Sequence, residues 1–156
     1  MPFIGALAIM LHMIEEIKFD GKFYALVLSA GFNESGCHFF TPDNLSQQLA
    51  YMNHPKGKII VPHIHNPVPR EVHYTQEVLV IKQGKLRVDF YDDKQSYLES
   101  RILTTGDTIL LAEGGHGFEV LEDLVMLEIK QGPYAGDRDK TRFEGISSEQ
   151  ADVKGS

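Results

Sequence analysis

The chain holds a single cysteine, Cys37, and no tryptophan, and its acidic residues outnumber its basic ones, for a formal charge of −7. One cysteine cannot close an internal disulfide, which fits a reducing, cytoplasmic compartment. With no activating partner in the sequence around it, Cys37 reads as a small buried hydrophobe. An anionic chain without a basic tract repels phosphate backbones, which argues against nucleic acid as a partner. No apolar run is long enough to span a bilayer, so no membrane is expected. The opening "MPFIGALAIMLHMIEE" is apolar, but its first basic residue, Lys18, follows the run instead of preceding it. A secretory signal has the opposite order. Residues 1–12 therefore read as an N-terminal extension upstream of the domain, or as a short apolar arm packed on a partner subunit. Phosphate-binding loops, dinucleotide fingerprints and nucleophile elbows are also missing, which disfavours nucleotide-driven chemistry. No internal repeat and no long 3.6-residue period occur.

What remains is a soluble composition, 42% hydrophobic and 24% charged, over 156 residues. That length makes one domain the default. Short runs rich in Val, Ile, Leu, Phe and Tyr follow one another between Gly, Asn, Asp and Pro. "FYALVLSA", "GCHFFT", "KIIVPHIH", "EVLVIKQG", "LRVDFYDD", "DTILLA", "GFEVLE" and "LVMLEIK" all have strand length. "PDNLSQQLAYM" opens as a helical turn at Asp43 and continues as a strand. The pattern predicts an all-β sandwich or barrel with few or short helices. After Gly132 the composition turns polar, and the last ten or so residues read as a frayed tail.

Residues two apart on a strand share a face. Ile59, Val61, His63 and His65 then point one way. Glu71, His73, Thr75, Glu77, Leu79 and Ile81 do the same if their strand is unbroken. Leu86, Val88 and Phe90 oppose Arg87, Asp89 and Tyr91. Histidines and a glutamate thus fall on apolar, inward faces, where an ionised carboxylate is costly unless paired or bound to metal. Two His at i and i+2, a Glu on a neighbouring strand and His116 between glycines form a plausible donor set for a transition metal.

These residues resemble the cupin motifs. Gly57, five residues and His63-Ile64-His65, then Glu77, six residues and Gly84, match the first motif. Gly106, five residues, Ala112-Glu113-Gly114 and His116 match the second. The chain departs from the pattern in three places. Eleven residues separate His65 from Glu77, where the family has a short gap; Ala112 stands for the usual proline; and one residue is missing before His116. Glu71 lies nearer to His65, but only Glu77 has the glycine at the right distance. The resemblance implies a cupin-like antiparallel β-barrel, a double-stranded β-helix or jelly roll. It also implies a conserved core at 56–131, within a domain that the composition sets at 13–136, with a polar C-terminal tail at 137–156. It further implies one divalent first-row transition metal ion (Fe, Mn, Ni, Zn or Cu) held by His63, His65, Glu77 and His116, and, together with the apolar N-terminus, a homodimer.

Three His and one carboxylate leave exchangeable positions on an octahedral ion. The expected function is a metal-dependent enzyme of dioxygenase or isomerase type. It would act on a small polar, possibly anionic metabolite by inner-sphere coordination. The alternative is a non-catalytic small-molecule-binding or sensor protein; an apo structural barrel is a third possibility. His73 shares the face of Glu77 and could transfer a proton, or be a satisfied core histidine. Arg70 ends the proline-stiffened "NPVPR" insert and could recognise an anionic group from a lid, or sit in a solvated loop. Gln48, Tyr51 and Thr75 are the other candidates for substrate contact. Glu128 and Lys130 share a face that reads as a wet outer surface.

Overall fold

The computed structural model describes residues 13–155, so the expected extension at 1–12 and its arm lie outside the described residues. Eight strands form: β1 (Ile14–Phe19), β2 (Lys22–Leu28), β3 (Gly36–Phe39), β4 (Ala50–Asn53), β5 (Glu77–Tyr91), β6 (Tyr97–Thr104), β7 (Thr108–Leu111) and β8 (Gly115–Lys130). The helical elements among the described residues are two short 3-10 turns, Gly136–Asp139 and Ser148–Gln150. The fold is all-β, as the alternating runs predict. The chain divides into two compact units. The larger joins the residues up to Phe32 with those from Tyr74 onward; the smaller is Asn33–His73.

The larger unit is one antiparallel sheet in the order β1-β2-β7-β5-β6, with β8 also paired to β5. β7 flanks the first residues of β5, β6 its second half, and β8 runs along the whole of its other side. The sheet is strongly curled into a half-barrel. Arg101 on β6 meets Glu15 on β1 at 2.7 Å, although these strands lie at opposite ends of the sheet order. The curl has a local cause at Gly84, in the middle of β5. Register irregularities crowd between Ile81 and Leu86 where β5 faces β8. Gly84 sits at φ +92°, and a Cβ there would overlap the backbone carbonyl of Asp123. Only glycine lets the two strands turn this corner together. The sequence reading made two strands of "EVLVIKQG" and "LRVDFYDD", and likewise of "GFEVLE" and "LVMLEIK". Each pair is one long bent strand, because the glycine bends the ladder instead of ending it.

Alternation along β5 sets the core. Leu79, Ile81, Leu86, Val88 and Phe90 pack with Ile17, Ala25, Leu103 and Ile109 on the concave face. Burying each such side chain stabilises by roughly 1.5–3 kcal/mol. As the alternation predicts, Arg87 and Asp89 take the opposite face. They are nonetheless buried, and paired with each other. β6 has no counterpart among the predicted strands, because Glu99, Ser100 and Arg101 give it a polar reading; its Ser100 and Arg101 are buried.

Tight turns follow their residue chemistry. Asp20 and Gly21, at φ 47° and 76°, join β1 to β2 with the positive angles of a two-residue hairpin turn. Between β5 and β6 the Asp92 carboxylate accepts the backbone N–H groups of Lys94 and Ser96, both at 2.8 Å. The Ser96 bond, foremost, holds the Asp92 carboxyl below its ordinary value. A depressed carboxyl stabilises the fold above its unfolded pKa and loses that contribution as pH falls through the lower folded value. Asp92→Ala should therefore melt below the native protein at pH 7. The gap should close below about pH 4, as the native carboxyl protonates. Melting curves at stepped pH check this; a gap that stays constant into acid would contradict it.

Several expectations are corrected. Residues 58–65, expected as a strand with an inward face, form none. Ile59 and Val61 are 78% and 75% exposed. Alternating apolar residues give only a propensity. A strand also needs a hydrogen-bonded partner, and Pro62 removes one donor from this segment. The strand expected from Glu71 begins only at Glu77, so His73 and Thr75 are not strand neighbours of Glu77. Cys37 is exposed, not buried, since it lies on the two-stranded β3–β4 ribbon. The turn expected at Asp43 does form, closed by Leu45 N–H to Pro42 O, and the expected strand follows as β4. The tail is docked, not frayed. Ser100 N–H bonds the Asp152 carbonyl at 3.0 Å, and Lys154 N–H bonds that of Ser100 at 2.9 Å.

Candidate binding pocket around Glu77 and His116

Glu77 opens β5 and points to the concave face, in register with Lys130 of β8. His116 follows the glycines that start β8, opposite Phe90 near the far end of β5. The bend at Gly84 brings the ends of this ribbon together, and Glu77 Oε2 lies 3.2 Å from His116 Nε2. Gly114 makes the approach possible. At φ +73°, a Cβ there would overlap the Tyr24 ring and come within 2.7 Å of the Tyr91 carbonyl oxygen.

A cavity of about 530 Å³ opens over this pair. Tyr74, Thr75, Tyr91, Glu113 and the glycine-rich 114–117 segment line one part of it, and Asp139, Lys140, Thr141, Arg142 and Phe143 another. All belong to the larger unit. Within it, Glu77 is buried, and Lys130 Nζ reaches both Glu77 (3.8 Å) and Asp139 (3.8 Å). Thr75 donates to Asp139 at 2.7 Å. The hydrogen bond from His116 holds the Glu77 carboxyl below its usual value against the opposing effect of burial, with Lys130 and Lys140 adding attraction. The site is therefore built around an ionised carboxylate, a histidine and a lysine.

The structure thus brings together Glu77 and His116, with Thr75 beside them. Lys130, read as part of a wet outer face, is drawn into the same cluster. Its register with Glu77 is a tertiary fact that period-two alternation could not reveal. The residues of the smaller unit stand as follows. The His63 and His65 rings lie 5.2 Å apart, centre to centre, and Val61 O lies 3.0 Å from His63 Nδ1. With that bond donated by Nδ1–H, Nε2 carries the open lone pair, the tautomer a metal-ligating imidazole uses. His73 is exposed, with its Nε2 3.3 Å from the Glu71 carboxylate. Arg70 is exposed in the irregular insert. Gln48 closes its own loop, accepting from Thr41 (2.7 Å) and donating to the Pro42 and Leu45 carbonyls. Tyr51 lies on β4, opposite His38. Among the described residues, no group of three or more His, Cys, Asp or Glu is arranged to hold a metal ion.

The tail wall is what sequence reasoning missed. Phe143 packs edge-on against Tyr91, with ring centres 5.0 Å apart, and Tyr91 Oη accepts the Ile146 N–H at 3.1 Å. The polar composition of the tail concealed that its backbone and one aromatic are anchored to the sheet.

No family of known proteins, no characterised protein and no solved structure matches this chain.

Proposed function

We propose that the cavity is the site of a cupin-type metal-dependent enzyme acting on a small polar metabolite, with Glu77 and His116 as two of the metal's ligands. The observation that carries the reading is the convergence of a buried carboxylate oxygen and an imidazole nitrogen, 3.2 Å apart, on one cavity. Two donors each about 2.1 Å from one ion stand about 3.0–3.4 Å apart for angles between right and tetrahedral, so the pair fits. A catalytic ion takes three or more protein ligands. The others are proposed from sequence alone: His63 and His65, whose spacing matches the motif. The ion would supply Lewis-acid or, if iron, redox chemistry.

The protein's own groups do the rest. Lys130 lies 3.8 Å from both Glu77 and Asp139, and its charge helps to keep the Glu77 carboxyl ionised. Asp139 fixes the Thr75 hydroxyl, and the Tyr91–Phe143 pair shields one side from water.

Protein purified without affinity tag or chelator should contain close to one first-row transition metal per chain by elemental analysis. Glu77→Gln and His116→Ala should each lower that content at least tenfold. They should also abolish turnover in a screen of metal-loaded protein for oxygen uptake and product formation. A variant that lost the metal and kept its activity would sink the enzyme reading. Tight ligand retention with no turnover would instead favour a binding or sensor protein using the same cavity.

A further inference from the structure

We propose that the C-terminal segment selects the ligand: Lys140 and Arg142 form a cationic wall of the cavity that receives an oxyanion group. This deepens the reading of the cavity as a metabolite site and rests on it. It moves anion recognition from Arg70, in the insert, to the tail.

The charges in the cavity support this choice. His116 Nε2 lies 3.2 Å from Glu77, and Lys130 Nζ lies 3.4 Å from Glu128 and 3.8 Å from both Glu77 and Asp139. Among the described residues, Arg142 is paired with Asp137 alone, at 3.7 Å, and both side chains are largely exposed. Such a pair is worth little and is easily exchanged for a ligand. Lys140 lines the same cavity as Glu77. Lys140 and Arg142 are thus the two cations of the lining, both exposed to a ligand, on a chain whose overall charge is −7. A guanidinium beside an ammonium suits a carboxylate or phosphate, the first by a planar fork and the second as a point charge. Thr141, between the two cations, adds a hydroxyl to the lining.

The wall is also held in place. Phe143 on Tyr91 and the Ile146 N–H on Tyr91 Oη fix the chain just beyond the cations. Both cations are exposed, so replacing them should leave the fold intact.

The test uses the full chain, chelator-stripped and metal-loaded, titrated by calorimetry with succinate, citrate and inorganic phosphate at fixed ionic strength. Lys140→Gln/Arg142→Gln is compared with Lys18→Gln/Lys82→Gln, an equal charge change outside the cavity. Native protein should bind at least one probe, and the wall variant should bind it at least tenfold more weakly while the control is unchanged. Carboxylate probes alone, or phosphate alone, would identify the oxyanion. If stripped protein binds as the loaded protein does, and the wall variant does not, the wall stands and the metal reading fails. If only loaded protein binds, and the wall variant equals native, the metal stands and the wall is overturned. Equal weakening by both double variants, or no binding of any probe, also overturns it.

Discussion

Gly84→Ala is expected to lower stability by about 3–5 kcal/mol, combining strain at positive φ with forced overlap in a packed sheet. The added Cβ meets the Asp123 carbonyl, backbone with nowhere to go, because β8 is paired to β5 on both sides of the corner. Gly21→Ala is the matched control. Its φ is +76°, but nothing lies within 4 Å of the new carbon. It should lose only about 1–2 kcal/mol from left-handed strain. Urea melts of both variants measure the difference, and equal losses would show that the close approach at Gly84 does not matter. A second consequence is functional. If the bend opens, the ends of the β5–β8 ribbon separate and Glu77 leaves His116. Gly84→Ala that remains folded should therefore also lose metal and anion binding, although Gly84 touches neither group.

That corner shows how far the sequence could be read. The spacing of six residues from Glu77 to Gly84 favours Glu77 over Glu71, and Glu77 is among the residues that line the cavity. It does not say why the glycine is there, since the clash partner, Asp123, is 39 positions away. Alternation in "KLRVDFYD" correctly divides the core face from the Arg87 face, because both faces of that strand are covered and period two is enforced. The same logic fails for "KIIVPHIH". Its apolar alternation is as good, but no strand pairs with it, and composition cannot report a missing partner. The tail fails in the opposite sense. Few apolar residues read as disorder, yet its anchors are backbone hydrogen bonds and a tyrosine hydroxyl, which a hydropathy reading does not weigh. The candidate site was legible as residue types, and the charge around it was not. Lys130, Asp139, Lys140 and Arg142 come from the far end of the chain.

Arg87→Met should be the other severe substitution. Arg87 lies on the face opposite the core, with its guanidinium on both oxygens of Asp89, at 2.7 and 3.0 Å, and on Glu119. Asp89 in turn accepts from Ser100 Oγ at 2.5 Å, and Ser100 meets the Tyr97 hydroxyl at 2.8 Å. Arg87 and Asp89 are both buried, and no buried side-chain polar atom among the described residues lacks a partner. Removing the one cation leaves two carboxylates together without compensation, which costs about 3–5 kcal/mol for a buried pair. Arg87→Met/Asp89→Leu removes both charges and should recover most of that loss, since an apolar pair of similar volume often replaces a buried ion pair at no cost. If the double variant were as unstable as the single one, packing and not charge would be the cause. The tail gives a local readout. Asp152 N–H donates to Tyr97 Oη at 2.7 Å, and Ser148 Oγ donates to the Glu119 carboxylate at 2.7 Å. The network that Arg87 neutralises is therefore the surface on which the tail is fastened. Limited proteolysis should cut residues 140–155 faster in Arg87→Met than in the native chain, at temperatures where the sheet is still folded. The cations proposed to select the ligand stand on the same segment. Loosening its far end should weaken oxyanion binding from a position across the sheet, with Lys140 and Arg142 both intact.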